Sequence, residues 1–78
     1  MPQPSVILYT REGCHLCDDA KALLCAHGLK VEEVDIDADE QLKRQFDTCV
    51  PVVEIDGKIR FRGRVNEVLL RRLLAGPN

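Results

Sequence analysis

Cys14 and Cys17 stand in the stretch "REGCHLCDDAKALL", directly after the apolar run "VILY". Two thiols at this spacing can grip a metal, staple a loop, or open and close as a redox pair. Zinc asks for four ligands, and Cys25 and His27 are the nearest side chains that could complete a set. On a single helix those two point roughly 200° apart, at about 100° per residue, so they cannot converge on one ion. A c-type haem needs His directly after the second Cys, and residue 18 is Asp. If Cys14 falls at a helix N-terminus, the free N–H groups and the helix dipole favour its anion. Such a placement lowers a thiol pKa from about 8.5 into a range of roughly 3.5–7.5. Arg11 and a protonated His15 would push the same way, whereas Asp18 and Asp19 oppose it, so a moderate depression is expected.

The setting narrows the choice. At 78 residues the chain is read as one domain, residues 1–78, near the size where a single core supplies only a few kcal/mol. It has no apolar run long enough to span a bilayer, so no membrane partner is expected. The start "MPQPSV" lacks the basic and apolar regions of a secretory signal, which predicts a cytoplasmic location. In that compartment a C-x-x-C points to redox chemistry or metal and not to a disulfide framework. The net charge of −2 conceals a polarity: residues 1–39 carry −5 and residues 40–78 carry +3. That imbalance is too small, and too poor in interleaved aromatics, to argue for nucleic acid.

The elements that must position the cysteines follow from the hydrophobic pattern. "SVILY" reads as a strand buried on both faces, broken by Gly13. A helix follows, with Leu16, Ala20, Leu23 and Leu24 on its apolar stripe and Cys25 opposite, in solvent. Gly28 stops it, and "KVEEVDID" forms a second strand in which Val34 and Ile36 alternate with acids. Asp37 or Asp39 caps a short helix through about Phe46, with Ala38, Leu42 and Phe46 stacked. "PVVEI" and "KIRFR" flank Asp56-Gly57, a two-residue type I′ hairpin signal. On the second of these strands Lys58, Arg60 and Arg62 share one face, where basic residues discourage edge-to-edge aggregation. The last helix runs from about Asn66 to Leu74, with Val65, Leu69 and Leu73 inward, Asn66 as a candidate cap and Gly76-Pro77 as the stop. The order βαβαββα predicts an α/β fold with a four-stranded mixed sheet and helices on both faces.

That order, together with "YTREGCHLC", "CVPVVEIDG" and the turn from Gly63 to Glu67, resembles the glutaredoxin branch of the thioredoxin superfamily over essentially the whole chain. The "GCHLC" motif is most similar to the small glutaredoxin-like proteins. The resemblance implies a thioredoxin fold and a thiol–disulfide oxidoreductase. The Cys14 thiolate would attack a substrate disulfide and Cys17 would resolve the mixed disulfide. It also implies a cis Val50–Pro51 bond beside the pair, with the backbone of Val50 hydrogen-bonding an extended thiol substrate. The rival of similar length, a heavy-metal carrier domain, needs the order βαββαβ and would end in a strand. The alternative function is therefore a non-catalytic thioredoxin-fold binding module or metal carrier using the same two cysteines.

In glutaredoxins glutathione is held by a cation three residues before the first Cys, by a T-V-P segment and by a G-G-x-D-D turn. Arg11 matches the first. The second reads "CVP", with Cys49 at the Thr position, and the third reads "GRVNE", with Arg64, Asn66 and Glu67 as departures. The resemblance nominates Arg11, Val50, Pro51 and Asn66 for substrate binding, His15 and Cys49 as modulators, and glutathione as a candidate co-substrate. No tightly bound cofactor and no metal are expected. The expected partners are a disulfide-bearing protein or glutathione, with a reductase or glutathione as electron donor, and the chain is expected to act as a monomer. Cys49 borders the cleft in this reading, either filling space or exchanging with the pair.

Overall fold

The computed structural model describes residues 4–46 and 49–75. Its elements are β1 (Val6–Thr10), α1 (His15–Ala26), β2 (Val31–Asp35), a single 3-10 turn (Ile36–Ala38), α2 (Glu40–Phe46), β3 (Val52–Ile55), β4 (Lys58–Arg62) and α3 (Glu67–Ala75). The expected order βαβαββα is therefore found, and the sheet runs β2-β1-β3-β4. β1 pairs in parallel with β2, from Val6 opposite Val31 to Thr10 opposite Asp35. β3 is antiparallel to both β1 and β4.

One face of the sheet presents Val6, Leu8, Val53, Ile55 and Phe61 to Ala20 and Leu24 of α1 and Leu70 of α3. The other presents Val52 to Ile36 and to Phe46 of α2, with Tyr9 and Leu42 against them. Val6 and Leu8 of β1 join the first cluster and Tyr9 the second, as the period-2 pleat of a strand covered on both sides requires. The β3–β4 hairpin closes through Asp56 (φ 52°) and Gly57 (φ 85°). A type I′ turn needs positive φ at both central residues, which is why the Asp-Gly signal marks this position.

The structure corrects several expectations about packing. Leu16 is 43% exposed, and its place on the inward stripe of α1 is taken by Cys17, followed by Ala20 and Leu24. In α3 the buried side chain is Leu70, with Leu74 packed beside the core, while Leu69 and Leu73 are exposed. The run Val68-Leu69-Leu70 followed by Leu73-Leu74 holds two i, i+4 stripes about 100° apart, and periodicity alone does not choose between them. Ile36 leaves β2 for the 3-10 turn yet is fully buried, and Ala38 is exposed.

The strand β4 is corrected too. Val53 faces Phe61 and Glu54 faces Ile59, so Arg60 is an extra residue in a bulge. The bulge breaks the alternation. Phe61 therefore joins the α1/α3 side and Ile59 the α2 side, and Lys58, opposite Ile55, and Arg62, opposite Val52, fall on different faces instead of sharing one. Lys58, Arg60 and Arg62 all remain exposed on this edge strand. The expected stop at Gly76-Pro77 lies outside the described residues.

Candidate active site

The end of β1 delivers the chain into a turn in which the Cys14 N–H donates to the Arg11 carbonyl at 3.2 Å. Gly13 occupies the third position of that turn at φ 80°, a conformation that side-chain-bearing residues avoid. Cys14 follows in extended conformation as the N-cap of α1, and its sulfur accepts the Cys17 N–H at 3.1 Å. Its carbonyl accepts the Asp18 N–H, so the first turn of the helix is anchored on Cys14 from both ends of the residue.

Cys14 and Cys17 form a disulfide with their Cα atoms 5.2 Å apart, inside the usual range of about 4.4–6.8 Å. Their environments differ. Cys14 is half-buried at the helix end, and Cys17 is only 3% exposed in the core side of α1. Chemically this suits an accessible attacking sulfur and a shielded resolving one. On reduction, the Cys17 N–H is already aimed at the Cys14 sulfur and would stabilise a thiolate there.

The other candidates lie on several elements of the fold. His15 begins α1 and is exposed, as are Asp18 and Asp19. Arg11 makes a two-pronged contact with Asp37: Nη2 to Oδ1 at 2.8 Å and Nε to Oδ2 at 3.0 Å. The guanidinium holds the Asp37 carboxyl below the usual carboxylate range. The sequence reading missed this partner, which is 26 residues away. The signal was present, since a parallel β1–β2 pair brings the C-terminal ends of both strands side by side.

The Val50–Pro51 peptide bond is cis. The Gly63 N–H donates to the carbonyls of both Cys49, at 2.9 Å, and Pro51, at 2.8 Å. That fork ties residues 49–51 to the turn after β4. Pro51 is buried, whereas Cys49 and Val50 are half-buried against the Ile36–Phe46–Val52 cluster. The backbone of Val50 makes no hydrogen bond among the described residues. Cys49 donates its N–H to the Phe46 carbonyl and carries a free thiol.

Asn66 is the N-cap of α3, its Oδ1 accepting the Leu69 N–H at 3.2 Å. Glu67 meets Nε2 of His27 at 3.2 Å and the Arg71 guanidinium at 3.4 Å. This link between the end of α1 and the start of α3 was not anticipated, because His27 and Glu67 lie 40 residues apart. Cys25 is exposed with a free thiol, as its place on the helix wheel predicts. Among the described residues no three His, Cys, Asp or Glu side chains gather around a common point that could hold a metal ion. No helix among them is long and apolar enough to cross a membrane.

Comparison with known proteins adds an independent line. The family model for the Glutaredoxin-like domain (DUF836) matches residues 5–75. Glutaredoxin 3 from Escherichia coli (strain K12) is 39% identical over 59 residues, spanning 69% of this chain and 71% of that protein. Among solved structures, protein Ne2328 from Nitrosomonas europaea superposes with a TM-score of 0.83 at 25% identity, over 94% of this chain and 93% of that one. A structural-genomics target protein from X. campestris gives a TM-score of 0.77 at 34% identity, over 94% of this chain and all of that one.

Proposed function

The chain belongs to the glutaredoxin-like domain family, and from that premise we propose that it is a cytoplasmic, monomeric thiol–disulfide oxidoreductase that reduces protein disulfides or glutathione mixed disulfides. The carrying observation is the asymmetric Cys14–Cys17 pair, with the Cys17 N–H aimed at the sulfur of the more accessible cysteine. In the reduced protein the Cys14 thiolate attacks one sulfur of the substrate disulfide and expels the other as a thiolate, which takes a proton from solvent. The Cys17 thiol then loses its proton and attacks Cys14, releasing the second substrate sulfur and forming the Cys14–Cys17 disulfide. Two electrons pass to the substrate, and a reductase or glutathione restores them.

Val50 supports the substrate side of this reading. Val50 is half-buried, and its N–H and carbonyl, beside the cis Pro51, have no hydrogen-bond partner among the described residues, which suits one short strand pairing with the chain that flanks a disulfide. Two of the nominated positions already have partners, Arg11 in Asp37 and Asn66 in the N-terminus of α3, and Glu67, a departure from the glutaredoxin turn, meets His27 and Arg71. Glutathione is thus assigned first as electron donor and co-substrate, and protein disulfides as the main substrate class.

A disulfide-reduction assay with glutathione and thioredoxin reductase supplied as alternative donors tests the reading. Turnover with at least one donor, lost in Cys14→Ser, is expected. The Cys17→Ser variant is expected to accumulate a mixed disulfide through Cys14. Absence of turnover with both donors, together with no adduct in Cys17→Ser, would overturn the assignment in favour of a non-catalytic binding module.

A further inference from the structure

The edge strand β4 ends beside the segment that contains Val50 and Pro51. Its last residue, Arg62, lies opposite Val52, and Val52 lies opposite Tyr9. One row therefore crosses β4, β3 and β1 at the end of the sheet where β1 runs into the Cys14 turn. Neighbouring strands stand about 4.8 Å apart, so roughly 10 Å separates β4 from β1 in that row. The next residue, Gly63, donates its N–H to the carbonyls of Cys49 and Pro51, which are the residues on either side of Val50. The turn that carries Arg64 is thus bonded directly to the segment assigned to substrate. Arg64 also lines a groove with Leu16 and Asp19 of α1, the helix capped by Cys14.

Arg62 and Arg64 are both exposed, and among the described residues neither side chain has a hydrogen bond or an ion pair. Other arginines of the molecule are compensated: Arg11 by Asp37 and Arg71 by Glu67. Asp19 shares a groove with Arg64 yet forms no ion pair with it. Two uncompensated positive charges therefore remain next to Val50. Such charges draw in carboxylates and repel cations, and a guanidinium can grip a carboxylate with two parallel hydrogen bonds. Arg64 stands where the glutaredoxin turn carries Gly, so its charge is this chain's own and not part of the shared motif.

Resting on the oxidoreductase reading above, we propose that Arg62 and Arg64 are specificity residues that select polypeptide disulfides with acidic side chains close to the target cysteine. The hydrogen-bond fork from Gly63 and the Tyr9–Val52–Arg62 row place these cations at the substrate segment, and their charge defines the partner. An extended chain advances about 3.3 Å per residue, so a side chain two or three residues from a cysteine joined to Cys14 spans the distance to β4. The two arginines bind and orient, and take no part in sulfur exchange.

The test measures kcat/KM under one electron donor for two cystine-linked peptides. They are identical except for glutamate or lysine two residues to each side of the cysteine. Uncharged bis(2-hydroxyethyl) disulfide reports turnover in the same samples. At low ionic strength the wild-type protein is expected to prefer the glutamate peptide about fivefold, the scale of two exposed charge pairs. In about 0.5 M salt that preference is expected to shrink toward parity. It is expected to fall below about twofold in Arg62→Gln/Arg64→Gln, to invert in Arg62→Glu/Arg64→Glu, and to survive in Arg62→Lys/Arg64→Lys. The ratio of two peptides within one protein cancels any change in the reactivity of the cysteines. Equal rates on both peptides, with bis(2-hydroxyethyl) disulfide reduced, would overturn the charge proposal and leave the oxidoreductase reading standing. A preference that persists in Arg62→Gln/Arg64→Gln would belong to other groups and would also overturn it. So would a defect of that variant confined to glutathione disulfide, which would assign the cations to the tripeptide. No reduction of any disulfide would overturn both readings.

Discussion

Among the described residues, the cluster where α1 and α3 pack on one face of the sheet has nine buried members, among them Val6, Leu8, Leu24, Val53, Phe61 and Leu70. The cluster where the 3-10 turn and α2 pack on the other face has three, Ile36, Phe46 and Val52. The thick side carries the helix that bears Cys14 and Cys17. The thin side supports Cys49 and Val50, and is trimmed by polar contacts: Arg11 with Asp37, and Tyr9 with Glu54. The division has a physical logic. The reacting sulfurs need a fixed helix end, because the hydrogen bond to Cys14 acts only if the N–H groups of the first turn stay aimed at it. A segment that must accept different partners tolerates a shallower foundation.

The largest effect should separate the cysteines of the two faces. Cys14→Ser is expected to bring disulfide reduction to background, whereas Cys49→Ser on the thin side leaves turnover near the wild-type rate. Peptide mapping of oxidised Cys17→Ser sharpens the same contrast: some Cys14–Cys49 bridge is expected once the resolving thiol is gone. If Cys49 remains unreactive there, its role is packing alone.

Stability should divide along the same line. Leu24→Ala removes a fully buried side chain from the thick core and is expected to cost about 2–5 kcal/mol in denaturant unfolding. Leu42→Ala, half-buried over the thin cluster, is expected to cost about 1 kcal/mol. Equal losses for the two would mean that the faces contribute alike, and the comparison would fail.

Smaller effects probe the polar trim of the thin side. Tyr9 is the single tyrosine of the chain, so absorbance near the phenolate band follows it alone. Burial first, then the charge of Glu54 and its hydrogen bond, push its pKa above the ordinary value of 10.0. A raised phenol pKa means that the folded state keeps its proton longer than the unfolded chain does. Its contribution to stability is present below pH 10 and is lost as pH rises through the folded pKa. Glu54→Gln is expected to lower the midpoint of the titration, and an unchanged midpoint would show that Glu54 does not act on Tyr9.

The smallest effect expected is at Asp37. Arg11 lowers the pKa of this carboxyl from the ordinary 3.8, so the pair favours folding above that pH and ceases to do so as pH falls through the folded value. Both groups face solvent, and salt should screen them. The stability difference between wild type and Asp37→Asn is therefore expected to shrink on acidification and at high ionic strength. A difference that is independent of both would point to backbone effects in the 3-10 turn instead.

How far these features can be read without coordinates depends on the range over which each is determined. The Gly13 turn, the Asp39 cap of α2, the Asp-Gly hairpin and the Asn66 cap of α3 are settled by residues within a few positions of one another. Local sterics and local hydrogen bonds act there whatever the rest of the chain does. Cys14 at the helix start belongs to the same group. So does Cys25, whose exposure follows from its angle on α1.

Other features depend on which neighbour arrives. Whether Leu69 or Leu70 turns inward is decided by how α3 lies against the sheet, since both stripes are equally apolar. The bulge at Arg60 sends Ile59 and Phe61 to opposite faces, and strict alternation contains no mark of an inserted residue. Arg11 finds Asp37, and His27 finds Glu67, only because the parallel β1–β2 pair and the packing of α3 bring distant chain segments together. Sequence alone thus determined the order of elements, the turns, the caps and the two cysteines, because covalent neighbours supply the forces. The choice of buried stripe and the partners of the cations were decided by tertiary structure, because those contacts join atoms that only the fold brings within reach.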